Sequence, residues 1–149
     1  MKDDFNILIV DDDEGHMRLI EKNLRRSGIQ NRILTFNDGQ AILDFLFNTG
    51  NAKERLERNR GYLLLLDIRM PRVDGEEVLV KIKSNPEFPE FRKIPVIMLT
   101  TLNAPEEVEK CHLLGCNNFV PKPISYDEFE KSMEYLGLFL SIIEVPTIK

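Results

Sequence analysis

The sequence predicts an α/β fold in which five strands form a parallel sheet and five helices cover both of its faces. Three observations predict it. The runs Ile7-Leu8-Ile9-Val10, Leu63-Leu64-Leu65-Leu66 and Val96-Ile97-Met98-Leu99 are apolar without alternation, which is how strands buried on both sides of a sheet read. Between the runs, apolar residues recur at helical spacing. Each run also ends in polar residues, and the carboxyl ends of the strands are where open α/β sheets bind ligands.

In chain order, Ile7 to Val10 forms the first strand and delivers Asp11, Asp12, Asp13 and Glu14. Met17, Leu19, Ile20 and Leu24 then mark a helix that Gly28 stops, with Glu21 and Arg25 one turn apart. Asn31 to Phe36 gives the second strand, and Asp38-Gly39 leads into a helix carrying Ala41, Ile42, Phe45 and Leu46. From Thr49 to Gly61 the rhythm breaks in a polar run with Lys53, Glu54, Arg55, Glu57, Arg58 and Arg60, expected to be a solvated helix extension or a loop. The third strand runs from Tyr62 into Asp67, and Pro71 with Asp74-Gly75 turns the chain straight afterwards.

Asp74 and Glu77 have capping-box spacing ahead of a helix with Val78, Leu79 and Ile82 on its apolar face, which Ser84-Asn85-Pro86 ends. After a long link to Lys93, Pro95 to Leu99 forms the fourth strand and delivers Thr100 and Thr101; Pro105 opens the next helix and Gly115 closes it. Asn118 to Pro121 is the last strand, and because Pro121 has no N–H to give a ladder, this strand should lie at a sheet edge. Ser125 and Glu128 cap a final helix through Phe129, Met133 and Leu136.

At 149 residues, 42% hydrophobic and 30% charged, the chain is the size of one soluble domain, with a core over about 5–136 and an apolar extension over 137–149. A net charge of -5 without a basic stripe excludes a protein that binds nucleic acid by neutralising phosphates. The apolar runs fall far short of the roughly 20 residues of a membrane helix, and the polar start carries no export signal, so a cytoplasmic protein is expected. Cys111 and Cys116 are then expected to be reduced, partly buried thiols. His16 and His112 have no partners at metal-ligand spacing and are expected on helix surfaces.

Together the strand ends bring Asp11, Asp12, Asp67, Thr100 and Lys122 to one rim. Carboxylates converging within about 4 Å repel by about 4 kcal/mol per pair at an effective dielectric near 20, so this cluster calls for a cation. Hard oxygen ligands suit Mg²⁺, which keeps several waters and completes its shell with phosphate oxygens. The implied chemistry is phosphoryl transfer, with Asp67 as the attacking nucleophile and Lys122 holding the equatorial oxygens beside the metal.

The motifs Ile9-Val10-Asp11-Asp12, Leu66-Asp67-Ile68-Arg69-Met70-Pro71 with Asp74-Gly75, Met98-Leu99-Thr100-Thr101 and Lys122-Pro123, in that order, resemble the receiver domain of two-component response regulators over nearly the whole chain. The resemblance implies a flavodoxin-like strand order 2-1-3-4-5, Asp67 as phosphoacceptor, Asp12 as a direct Mg²⁺ ligand, Asp11 acting largely through water, and the backbone carbonyl of Arg69 as a further ligand. It also implies Thr100 and Phe119 as the switch pair, a cis Lys122-Pro123 bond, and a sensor histidine kinase or phosphotransfer protein as partner. The charged insert, the long link and the extended C-terminus resemble the single-domain regulators associated with phytochromes.

Arg69, Thr101 and Leu102 refine the family pattern: the first two would shield an aspartyl phosphate, and the third cannot orient an attacking water, so self-dephosphorylation is expected to be slow. No residues remain for an output domain, so output would be a protein contact or a phosphate relay. The apolar residues Leu138, Phe139, Leu140, Ile142, Ile143 and Val145 suggest homodimerisation through helix four, strand five, helix five and the tail.

The rival from another class is a haloacid-dehalogenase-like phosphatase, with Asp11 as nucleophile in a D-x-D pair with Asp13. It leaves Asp67 without a role and needs a later acidic strand end that the chain lacks after Lys122. A flavodoxin-like nucleotide binder would need a glycine-rich phosphate loop where this chain has acids.

Overall fold

The computed structural model describes residues 5–50, 54–68, 70, 73–100, 105–121 and 126–148. The elements follow the order β1 (Phe5–Val10), α1 (Glu14–Arg26), β2 (Ile33–Phe36), α2 (Gly39–Phe47), β3 (Arg60–Asp67), α3 (Gly75–Lys83), a 3₁₀ turn (Pro89–Lys93), β4 (Val96–Thr100), α4 (Pro105–Leu113), β5 (Asn118–Pro121), α5 (Tyr126–Ile142) and β6 (Thr147–Ile148). The main path of the sheet is β2-β1-β3-β4-β5. Its strands pair in parallel throughout. β5 is an edge strand, where Pro121 costs no ladder bond.

Because successive side chains on a strand point to opposite faces, the leucine run of β3 feeds two cores. Leu64 and Leu66 join Leu8, Val10 and Met98 under α2, α3 and α4. Leu63 and Leu65 join Ile7, Ile9 and Leu99 under α1 and α5. Full burial of each such side chain contributes about 1.5–3 kcal/mol, so this one strand is a large share of the driving force. It also fixes where Asp67 comes out.

The helix ends are built as the sequence indicates. Asp13, Asp38 and Asp74 cap α1, α2 and α3 by accepting backbone N–H groups of His16, Ala41 and Glu77. Gly28, at φ +92°, closes α1 with the paired bonds of a Schellman motif: Ile29 N–H to Leu24 O at 3.1 Å and Gly28 N–H to Arg25 O at 3.0 Å. Cys111 and Cys116 are both buried and are not joined in a disulfide.

Two features correct the sequence reading. Of the two readings of the charged segment, residues 54–59 bear out the loop, since α2 stops at Phe47, where Asn48 turns left-handed; β3, however, begins two residues earlier than the apolar pattern suggested, at Arg60. The loop is tied down by more than its ion pairs, because Leu56 packs on the core and the Glu57 N–H donates to the buried Tyr62 hydroxyl at 2.8 Å. Burial raises the pKa of that hydroxyl, and the Glu57 N–H bond partly offsets the rise.

The second correction concerns the end of the chain. A sixth strand, β6, pairs antiparallel with the start of β3, Arg60 opposite Ile148 and Gly61 opposite Thr147. It uses the part of β3 that precedes the β4 ladder, which starts at Leu64. Gly61 makes room, since a Cβ there would stand 3.0 Å from both Phe5 Cβ and Val145 Cγ1. Much of the tail thus folds onto its own domain: Leu140 and Ile148 are buried, and Phe139, Ile143 and Val145 pack against the α1/α5 core.

Candidate functional site

The site is built by strand register. Val10 pairs with Leu66, so Asp11 and Asp67 emerge side by side where β1 and β3 end. Asp67 pairs with Leu99, which places Thr100 one residue further along β4, opposite Pro121 on β5. The carboxylates of Asp11, Asp12 and Asp67 come together with ligand oxygens all within 4.8 Å of one another. Asp11 is 1% exposed and Asp67 8%, while Asp12 faces solvent.

Local geometry holds the acids in place. The N–H of Asp13 donates to Asp11 Oδ1 at 2.9 Å, locking that carboxylate to the start of α1. Gly75 N–H donates to Ile68 O at 2.7 Å, drawing the amino end of α3 against the residue that follows Asp67. Two of the three carboxylates are thus gathered in a nearly water-free position, where like charges repel most and a divalent cation is the natural counter-charge. An all-oxygen donor set of this kind fits a hard divalent metal, and Asp11, Asp12 and Asp67 are the residues that would hold it.

Of the other residues expected at the rim, Thr100 ends β4 and Phe119 lies in β5 opposite Met98. Arg69, Lys122 and the Lys122-Pro123 bond lie outside the described residues, as do Thr101 and Leu102. His16, expected on a helix surface, lies in the first turn of α1 with its side chain 43% exposed, and its Nδ1 stands 3.9 Å from Asp11 Oδ2 and 3.8 Å from Asp13 Oδ2.

An open α/β sheet of this order with three acids at its carboxyl edge defines a phosphoryl-accepting signalling domain. Residues 7–134 match the response regulator receiver domain, and the chain belongs to that family. Members accept a phosphoryl group on an aspartate, bind a divalent metal through the acidic cluster, and work with histidine kinases or phosphotransfer proteins.

Among solved structures, the fold is similar to a response regulator receiver domain from Rhodospirillum rubrum, with a TM-score of 0.85 and 39% identity over 97% of this chain and 99% of that one. It is also similar to the Mn²⁺-bound form of response regulator Rcp1, TM-score 0.84, covering 96% and 99% of the two chains. Rcp1 of Synechocystis sp. is 31% identical over 94% of this chain and 92% of its own length. The phosphorylated cyanobacterial phytochrome response regulator RcpA matches with a TM-score of 0.82 and 27% identity over 96% and 99%. The resemblance to phytochrome response regulators therefore spans nearly the whole chain.

The phosphatase reading falls here. The match to the receiver family over residues 7–134 leaves it without support, and its second acid, Asp13, is engaged as the cap of α1. Among the described residues no helix is long and apolar enough to cross a membrane.

Proposed function

We propose that Asp67 is the phosphoacceptor of this receiver domain and that the protein takes its phosphoryl group, in the cytoplasm, from a sensor histidine kinase of the phytochrome type or from a phosphotransfer protein. The convergence of Asp11, Asp12 and Asp67 at the end of the central strand carries this reading. A carboxylate oxygen of Asp67 attacks the phosphorus of a phosphohistidine; the new O–P bond forms as the N–P bond breaks, and the donor imidazole leaves and takes a proton. Mg²⁺, held by Asp12 directly, by Asp11 largely through water and by the backbone carbonyl of Arg69, would neutralise charge on the transferring oxygens. Lys122 supplies a second positive charge, and the Thr100 hydroxyl donates to a phosphoryl oxygen.

Drawing Thr100 inward vacates space for Phe119 to turn, which alters the face formed by α4, β5 and α5. The protein is a switch and not a turnover enzyme, catalysing only its own phosphorylation and slow dephosphorylation. Incubation with Mg²⁺ and a small acyl-phosphate donor, followed by mapping of the hydroxylamine-labile adduct, tests the assignment. Label is expected on Asp67 and absent from Asp67→Asn. Label that persists in Asp67→Asn and disappears from Asp11→Asn would overturn it.

A further inference from the structure

The sheet has two outer strands, and they are guarded differently. β5 carries Pro121, whose ring takes a donor away from the edge, whereas β2 reads Ile33-Leu34-Thr35-Phe36, with neither proline nor charge. Among the described residues β2 pairs with β1 alone. Ile7 N–H donates to Arg32 O at 2.8 Å and Asp11 N–H to Phe36 O at 3.1 Å, so the even-numbered residues here turn their backbone groups toward β1. By the two-residue period of a strand, the N–H and C=O of Ile33 and Thr35 point out of the sheet.

A groove of about 830 Å³ runs along that open edge. α1 contributes Glu14 and Met17 to it, and α2 contributes Asp44 and Phe45, so each helix brings one carboxylate and one apolar side chain. Glu14 is exposed, and Asp44 accepts from neutral donors, Gln40 Nε2 and Thr49 Oγ1, both at 2.9 Å. A third acid, Glu54, is paired with Arg32 at 3.0 Å. Among the described residues no lysine or arginine lines the groove.

We propose that this edge is a docking site for an extended segment of a partner protein that carries both apolar and cationic side chains and adds to the sheet as a strand beside β2. Strand addition gives the outward backbone groups of Ile33 and Thr35 their hydrogen bonds. Side chains of the added strand alternate between the two helices, so its lysines or arginines reach Glu14 on one side and Asp44 on the other. Its apolar residues cover Met17 and Phe45. A second copy of this chain is the wrong occupant, because pairing β2 with itself would bring the same acids together in a protein of net charge -5.

The test titrates the full chain with an acetylated, amidated octapeptide in which pairs of valines alternate with pairs of lysines, so that both faces of the added strand carry both types. Nuclear magnetic resonance should place the shift changes on β2 and its two flanking helices. Hydrogen exchange should slow at the Ile33 and Thr35 amides and stay unchanged at Leu34 and Phe36, which already face β1. The same peptide with glutamate for lysine should bind at least about tenfold more weakly. Glu14→Gln combined with Asp44→Asn should weaken the lysine peptide about fivefold. N-methylation of every valine keeps charge and apolar area but blocks both edges of the peptide, and should cost at least about tenfold. Equal binding of the N-methylated or the glutamate peptide overturns the proposal, the first by showing a cleft for cations without strand pairing. Shift changes centred on Asp11, Asp12 and Asp67 overturn it too, since the peptide would then be drawn to the acidic pocket. Protection of Ile33 and Thr35 that rises with protein concentration alone would give the edge to a second copy and refute a cationic partner.

Discussion

Gly75 lies against the backbone of Asp67 so closely that a Cβ at residue 75 would run into the Asp67 carbonyl oxygen and stand 2.8 Å from Ile68 Cα. Both obstacles are backbone, which cannot swing aside as a flexible side chain can. The contact locks the start of α3 to the end of β3. It thereby sets how far Asp67 projects toward Asp11 and Asp12, the two acids that follow β1. Gly75→Ala must push helix and strand apart. The expected cost is about 1–3 kcal/mol of stability in urea unfolding, with weaker divalent-metal binding in the fraction that folds. Unchanged stability and affinity would show that the approach does not matter.

The life of the phosphorylated state is a second expectation, and it rests on residues chosen from the sequence. Arg69 and Thr101 would crowd the aspartyl phosphate, and Leu102 offers no group to orient water. Phosphate release from the wild-type protein should therefore be slower than from a variant carrying Arg69→Asn and Leu102→Glu. The comparison is made on purified phosphorylated protein after the donor is removed. Equal first-order rates would end this account.

Much of the architecture was legible because local and long-range signals agree. Four leucines ahead of Asp67 can only be satisfied by cover on both faces, and that alone fixes a central strand with a carboxylate at its carboxyl end. Asp74 reads as a cap from its spacing to Glu77 and is one. What was not legible depends on tertiary pairing. Arg60 and Gly61 read as loop because their strand character comes from β1 on one side and from β6, some eighty-five residues away in sequence, on the other. Phe88 and Phe91 sit in what read only as a long link, yet they form an aromatic cluster with Phe47 at centroid distances of 5.2 to 5.5 Å, anchoring the 3₁₀ turn.

The folded-back tail makes its own prediction. Ile148 is buried in the core beside β3, and the backbone of β6 adds ladder bonds to Arg60 and Gly61. Ile148→Ala should lower stability by about 2–4 kcal/mol, the range for truncating a buried isoleucine. Thermal or urea unfolding checks this, and a cost under about 0.5 kcal/mol would mean that the tail is not held in solution.

For the same reason, cutting the chain after Leu136 is the wrong test of homodimerisation, since it would strip Leu140 and Ile148 from the core. The surface left over on α5 is a row: Tyr135, Leu138 and Ile142 are 74%, 65% and 73% exposed and lie three and four residues apart, on one helix face. Leu113 of α4 is exposed as well. If the protein self-associates through this face, Leu138→Glu with Ile142→Glu should yield a folded monomer by sedimentation where the wild-type chain is a dimer. A wild-type monomer, with and without phosphorylation, would refute the dimer.

Lys83 gives the fold a pH dependence above neutrality. Its ammonium sits under the turn before β4, donating to the carbonyls of Arg92 and Ile94, with the Cγ of its stem 3.1 Å from where a Cβ on Gly115 would lie. Burial pushes its pKa down to about 8, while nearby Cys116 acts weakly in the opposite direction. In the unfolded chain the group returns to its ordinary value of 10.5. Between those values the unfolded chain binds more protons than the folded one, so stability from this residue rises with pH through the window. Below about 8 both forms are charged and the contribution is flat. Relative to Lys83→Met, the wild-type protein should therefore gain on the order of 1 kcal/mol between about pH 7.5 and about pH 9.5. Cys116→Ala introduced into both proteins removes the neighbouring thiol, itself raised by burial, as a competing titration. A difference in unfolding free energy that stays constant across that range would mean that Lys83 keeps its proton as an exposed lysine does.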